Sequence, residues 1–262
     1  MPNERYWRPR LVAFSLAGAL AACVCVAATQ TAPPLSATGT SLFNGRDLSG
    51  WKIPQGDNGH WKVVDGVIDY DAESEAAGDK HLWTENSYGD FVLQLDWRLK
   101  STPYVNPNVA IVRMNGAAKK DAEGRDIRIP VPDSDSGIYL RGSDKAQVNI
   151  WSWPIGSAEV WGYRTDVKMP PAVRAAVTPR RNADRDIGEW NTFQITMRGS
   201  RLTVVLNGET VIENAELPGV PARGAIALQH HGARKNGEWT SPPSLVQFRN
   251  ITIAELAPPA AR

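Results

Sequence analysis

The run Ala146–Trp153 (AQVNIWSW) carries the side chains best suited to chemistry. Read as a strand, it sends Gln147, Asn149, Trp151 and Trp153 to one face and Ala146, Val148, Ile150 and Ser152 to the other. An indole lies well against the C–H face of a pyranose, and amides hydrogen-bond its hydroxyls. The competing reading is a polar face covered by a loop that satisfies those amides, since a buried amide without a partner is costly. Other runs offer matching polar groups. Tyr139 and Arg141 share a face in GIYLR, Gln229 and His231 share one in ALQHH, and Glu159 stands among Trp161 and Tyr163 in EVWGY. In FVLQLDWRL, Asp96 and Arg98 are charges in mid-strand, placed either as a structural pair or for catalysis. His231, Asp96 and Glu159 are the candidates for proton transfer. His230 alternates toward the core, and we read His60 and His81 as structural. Adjacent histidines on a strand face opposite ways, so His230 and His231 do not readily share a metal.

Several function classes are excluded by composition and motif. With 29 Lys and Arg against 28 Asp and Glu in 262 residues, there is no basic surplus for a nucleic-acid groove. The two cysteines, Cys23 and Cys25, lie before the folded body, which excludes a disulfide framework and a cysteine zinc site. The sequence has no HExxH, P-loop, GxSxG or dinucleotide fingerprint.

The elements that must position these groups read as short strands separated by Gly, Pro, Asn and Asp. Trp61–Tyr70 is a hairpin about Asp65-Gly66, and Phe91–Leu99 alternates without a break. Gly137–Arg141 and Ala146–Trp153 follow. Phe193–Arg198 and Arg201–Leu206 pair across Gly199-Ser200, Asn207-Gly208 turns into Thr210–Ile212, and Ala225–His231 and Leu245–Ile253 close the body. Helical periodicity is absent apart from a short segment over Pro170–Val177. Lys100–Ser136 and Arg164–Gly188 read as long irregular loops. The pattern predicts an all-β, single-domain sandwich or jelly roll with long loops over 41–256, followed by a tail at 257–262.

Residues 1–28 read as an export signal: Arg5, Arg8 and Arg10 precede the apolar run Leu11–Ala28. Leu20-Ala21-Ala22-Cys23 resembles a lipobox at 20–23, which would make Cys23 the lipidated residue; a cut after Ala28 is the alternative, and residues 29–40 form a linker. The expected location is outside the cytoplasm, as a periplasmic or outer-membrane lipoprotein, with contact to a membrane only through that lipid and no nucleic-acid partner.

SLFNGRDLSGW (41–51), the run from Trp61, YGDFVLQLDWRL (88–99), DSGIYLRG (135–142), GEWNTFQI (188–195), LNGETVIEN (206–214), IALQHHG (226–232) and VQFRNITI (246–253) together resemble the 3-keto-disaccharide hydrolase domain family. The resemblance implies a concanavalin-like jelly roll, similar to family 16 glycoside hydrolases, acting on a sugar or 3-keto-glycoside. A C3 ketone acidifies the C2 proton, so such a site needs a base, an acid for the leaving group, and either Arg141 or a divalent metal ion at the ketone oxygen. No other cofactor is implied. Many members of the family carry Glu-x-Gln where this chain has Gln147-Val148-Asn149, and an amide cannot act as a base. Two alternatives therefore stand beside the 3-keto-glycoside enzyme: a non-catalytic, envelope-tethered carbohydrate-binding module, and a glycosidase working through two carboxylates, for which the usual Glu-x-Asp-x-Glu strand is missing.

Overall fold

The structure is a computed structural model that describes residues 39–257. The expected export signal, Cys23 and most of the linker lie outside the described residues. Antiparallel pairing dominates, because almost every apolar run alternates with polar residues and ends at a turn-forming pair. Asp65-Gly66 and Asn207-Gly208 both adopt left-handed φ (50° and 77°; 53° and 86°), the geometry that closes a two-residue hairpin with the twist of its strands.

The larger sheet contains β1 (Thr40–Ser41), β3 (Lys62–Val64), β4 (Val67–Tyr70), β6 (Phe91–Leu99), β11 (Asn191–Arg198), β12 (Arg201–Leu206), β13 (Glu209–Glu216) and β17 (Val246–Glu255). Its order is β13-β12-β11-β6-β17-β4-β3, with β1 also on β17. The second sheet contains β2 (Trp51–Lys52), β5 (Leu82–Thr84), β9 (Asp135–Leu140), β10 (Ser143–Trp151) and β14 (Ala227–Leu228) in the order β10-β9-β14-β5-β2. The inner faces share one core. Phe91, Leu93, Leu95, Trp97 and Leu99 of β6 join Phe193 and Ile195 of β11, and Ile138, Ala146, Val148 and Ile150 close the core from the second sheet. The alternation read in β6 therefore sets which of its residues are buried, whereas in β10 both faces are buried from Ala146 to Trp151. In β17 the alternation slips: Val246 and Phe248 are buried, then Ile251 and Ile253. A bulge between Arg249 and Thr252, with Asn250 at φ 52°, makes the shift and returns the apolar residues to the core.

Lys100–Ser136, expected to be irregular, is instead an arm built on β7 (Tyr104–Ala110) and β8 (Arg128–Asp133) and extended by the bridges Val112–Ala118 and Lys120–Asp126. Prolines 107, 130 and 132 obscure it in the sequence. A two-stranded ribbon has only edge strands, so a missing N–H can face solvent. A second ribbon pairs β15 (Ala233–Lys235) with β16 (Glu238–Ser241). Arg164–Gly188 holds α2 (Pro171–Ala176), within the helical segment expected there; α1 (Trp161–Arg164) is a single unforeseen turn. The expected strand Ala225–His231 narrows to β14, after which the chain leaves the sheet while Gln229 N–H still bonds Gly137 O.

Candidate functional site

The outward face of the second sheet forms the floor of a cleft of about 670 Å³. Cross-strand register explains why. Asn149 pairs with Gly137, Gln147 with Tyr139, and Trp151 with Asp135, so the polar members of β9 and β10 stand side by side. Gly137 is a requirement of space: a Cβ there would come within 2.8 Å of Gln147 Nε2 and 2.9 Å of its Cγ. Gln229 and His231 enter from the segment after β14, Asn106 from the β7–β8 arm, Trp161 from α1, and Pro242 from the chain after the second ribbon.

Aromatic groups wall the cleft. Trp151 and Trp153 stack with centroids 4.1 Å apart and planes 5° apart. Trp151 Nε1 donates to Gly156 O (2.8 Å) and Trp153 Nε1 to Asp133 Oδ2 (2.7 Å), which fixes both rings. Asp133, fully buried, also receives Asn106 Nδ2 (3.1 Å) and so ties the arm to the wall. Trp161 is half exposed, and Trp83 stacks on Tyr139 from the side. An apolar wall over an amide floor is the environment a pyranose prefers.

The floor holds polar atoms with no partner among the described residues: Asp135 Oδ1, Gln147 Nε2 and Gln229 Oε1 are all buried and unbonded there. Buried polar atoms are ordinarily satisfied, so three orphans in one cleft mark a place where a ligand or water supplies the missing bonds. Asp135 is also electrostatically unusual. Burial pushes its carboxyl up to about 7; His231 opposes that rise and Asp133 adds to it. His231 Nδ1 meets Pro242 O at 2.5 Å, and its N–H bonds Ser244 Oγ. A carbonyl only accepts, so Nδ1 carries the proton and a neutral His231 keeps its Nε2 lone pair. Burial holds the Tyr139 phenol up at about 12, so at neutral pH it remains a hydrogen-bond donor.

Of the residues singled out in the sequence, the cleft gathers Tyr139, Gln147, Asn149, Trp151, Trp153, Trp161, Gln229 and His231. The others lie elsewhere. Asp96 faces outward from the larger sheet, where it accepts from Thr192 Oγ1 (2.7 Å), Asn250 Nδ2 (2.7 Å) and Arg249 Nε (3.2 Å). Arg98 bonds Gln247 and covers Trp190 on that same outer face. Arg141 sits at the β9–β10 turn with φ 52°, which breaks the alternation with Tyr139. Its guanidinium is buried and bonds Gly89 O, Gly199 O, Pro221 O and Asp90. Glu159 is fully buried against Arg164; it contributes a backbone carbonyl that holds Asn149 Nδ2 at 2.9 Å. Tyr163 is buried with its hydroxyl on Pro218 O.

Asp135 was not among the candidates drawn from the sequence. It lies in the DSGIYLRG run two residues before Gly137 and four before Tyr139, so strand alternation alone places it on the Tyr139 face. Among the described residues, no three His, Cys, Asp or Glu side chains are grouped to hold a metal ion, although Asp135, Asp144 and His231 all line the cleft.

Residues 38–254 match the model of the 3-keto-alpha-glucoside-1,2-lyase-like domain. Among solved structures, a proposed glycosyl hydrolase from Parabacteroides distasonis superposes with a TM-score of 0.50 at 19% identity, covering 84% of this chain and 94% of that one. Another from the same organism gives 0.49 at 20% identity, covering 84% of each chain. The carbohydrate-binding module CBM66 from Bacillus subtilis gives 0.38 at 14% identity, covering 78% and 94%. No curated protein matches the chain significantly. The first of these likenesses shows a shared fold, and the family match takes in every strand but the last residue of β17, together with the whole cleft. The chain is therefore a jelly-roll β-sandwich that belongs to the 3-keto-α-glucoside-1,2-lyase-like domain family.

Proposed function

We propose that the cleft binds 3-keto-glycosides and eliminates the C1 substituent across the C1–C2 bond. The observation that carries this reading is the pair Asp135 and His231: a carboxyl held near 7 by burial beside an imidazole whose Nδ1 is pinned by Pro242 O. A buried carboxyl that holds its proton and an imidazole with a free Nε2 lone pair suit an acid and a base. His231 Nε2 removes the C2 proton, which the adjacent ketone acidifies. The C2–H electrons move into the enolate, whose oxygen accepts from Gln147 Nε2 and Tyr139 O–H. The enolate then forms the C1=C2 bond as the C1–O bond breaks, and the departing oxygen takes the Asp135 proton. The products are an unsaturated 3-keto sugar and the free alcohol; water added back across C1=C2 yields the 3-keto sugar. The proton gained by His231 returns to Asp135 through solvent. Asp96, Glu159 and Arg141 have no part in this scheme because none lines the cleft.

A second reading, a binding module without turnover, is favoured by one feature: the strand that carries Glu-x-Gln in many relatives carries only amides here. Incubating the protein with 3-keto-trehalose or a 3-keto-glucoside separates the two. Release of glucose or of the free alcohol, reduced about 10²–10⁴-fold by His231→Ala, supports the enzyme; saturable binding without release supports the module. Repeating the assay with EDTA tests whether a divalent ion assists at the ketone oxygen.

We also propose that the domain is exported and anchored by lipid at Cys23, on the sequence alone. Metabolic labelling with a fatty-acid analogue, lost in Cys23→Ala, tests this; label retained in that variant would contradict it.

A further inference from the structure

A second cavity, of about 240 Å³, also has Trp151 in its lining. Trp97 and Leu99 of β6 line it with Trp151, Asn182, Asp184 and Ile187. It shares only Trp151 with the cleft described above. Two of its lining residues carry buried polar atoms with no partner among the described residues, and they are opposite in kind: Trp97 Nε1, which only donates, and Asp184 Oδ1, which only accepts when ionised. Trp97 is 2% exposed, so its indole N–H has no access to bulk water. The other Asp184 oxygen receives the Ser157 N–H at 2.9 Å, which fixes the carboxylate in place. Arg185 and Asp186 also line the cavity, but among the described residues Asp184 forms no ion pair, and burial pushes its carboxyl up to about 6.

A group that satisfies both orphans must accept from an indole and donate to a carboxylate. An alcohol does both through one oxygen. A cation would leave the indole unbonded, and an anion without a proton has nothing to donate to Asp184. The volume is well beyond the roughly 30 Å³ that one water occupies in the liquid. Leu99, Trp151 and Ile187 supply apolar surface for C–H groups, as a carbohydrate site requires. We propose that this cavity is a second carbohydrate site, which takes neutral sugar hydroxyls at Trp97 Nε1 and Asp184 Oδ1. It is independent of the elimination proposed for the main cleft and holds even if that cleft only binds.

The test is a titration with methyl glucoside of the protein carrying ¹⁵N-labelled tryptophan, following the indole N–H resonances. Trp97→Phe identifies the Trp97 signal by its loss. The site predicts a saturable shift of that signal, weakened about tenfold or more in Asp184→Asn, which keeps an acceptor for Ser157, and retained in Gln147→Ala, which disables the main cleft. A Trp97 signal that never moves would show that the cavity holds water alone. A shift abolished by Gln147→Ala but indifferent to Asp184→Asn would assign it to the main cleft. Either result overturns the proposal.

Discussion

Asp135 should make the protein less stable at neutral pH while serving its chemistry. Its folded-state pKa is raised from 3.8 to about 7. Below pH 4 the carboxyl is protonated in both folded and unfolded chains and costs nothing. As pH rises from 4 to 7 the unfolded chain ionises freely while the folded chain resists, so stability falls; above 7 the penalty is complete. Three pKa units at about 1.4 kcal/mol each set its ceiling at about 4 kcal/mol. An Asn in its place keeps the shape and removes the charge but leaves its own amide incompletely bonded, at about 1–3 kcal/mol. Asp135→Asn should therefore gain about 1–3 kcal/mol above pH 7, or about 2–12 °C in Tm for a domain of this size. The advantage should shrink and then reverse as pH falls toward 4, where the charge penalty is gone and the amide cost remains, and activity should be lost. Thermal melts followed by circular dichroism at pH 4 and pH 8, in wild type and variant, read the difference directly. An equal or lower Tm for the variant at pH 8, or a gap of the same size at both pH values, would refute the claim that burial holds this carboxyl near neutrality.

The other predictions follow from single contacts. Gly137→Ala drives a methyl into the Gln147 side chain and should cost about 1–3 kcal/mol by overpacking, with sugar affinity falling more than stability; unchanged affinity in a calorimetric titration would show that the Gln147 position is unimportant. Arg141→Met removes a buried guanidinium from three carbonyls and Asp90, so Tm should drop by about 6–20 °C, from a loss of about 3–5 kcal/mol, while kcat/KM of the folded protein holds. Lower kcat/KM at full folding would return Arg141 to the site. Asp96→Asn alters only the outer face of the larger sheet and should leave kcat/KM unchanged; a large fall would contradict its placement there.

Much of the site was legible because strand alternation is a local property. Gln147, Asn149, Trp151 and Trp153 share the face that the period of two assigns them, and register with β9 brings Tyr139 beside Gln147. Alternation gives a residue's side of its own strand but not which sheet that strand joins. Asp96 and Arg98 do point away from the core, as read, yet on the sheet opposite the cleft. Arg141 departs because a left-handed turn ends the strand one residue earlier, and Glu159 because a buried partner, Arg164, lies on a helical turn too short to leave a periodic signal. Asp135 was within reach of the same reasoning, but its burial leaves no local signal, and His231, which acts on its charge, is distant in sequence. The β7–β8 arm shows that proline marks a loop only where its missing N–H would have been needed by a sheet.

The central claim is that the Asp135–His231 cleft removes a proton from C2 of a 3-keto sugar. The most direct measurement is turnover of a 3-keto-glucoside in D₂O, with mass spectrometry of the 3-keto sugar formed. Elimination followed by rehydration predicts one solvent deuterium at C2, and release of alcohol by His231→Ala slower by about 10²–10⁴-fold. Product formed by the wild-type protein with hydrogen retained at C2 would mean that the glycosidic bond breaks without that proton transfer, and the account would fail.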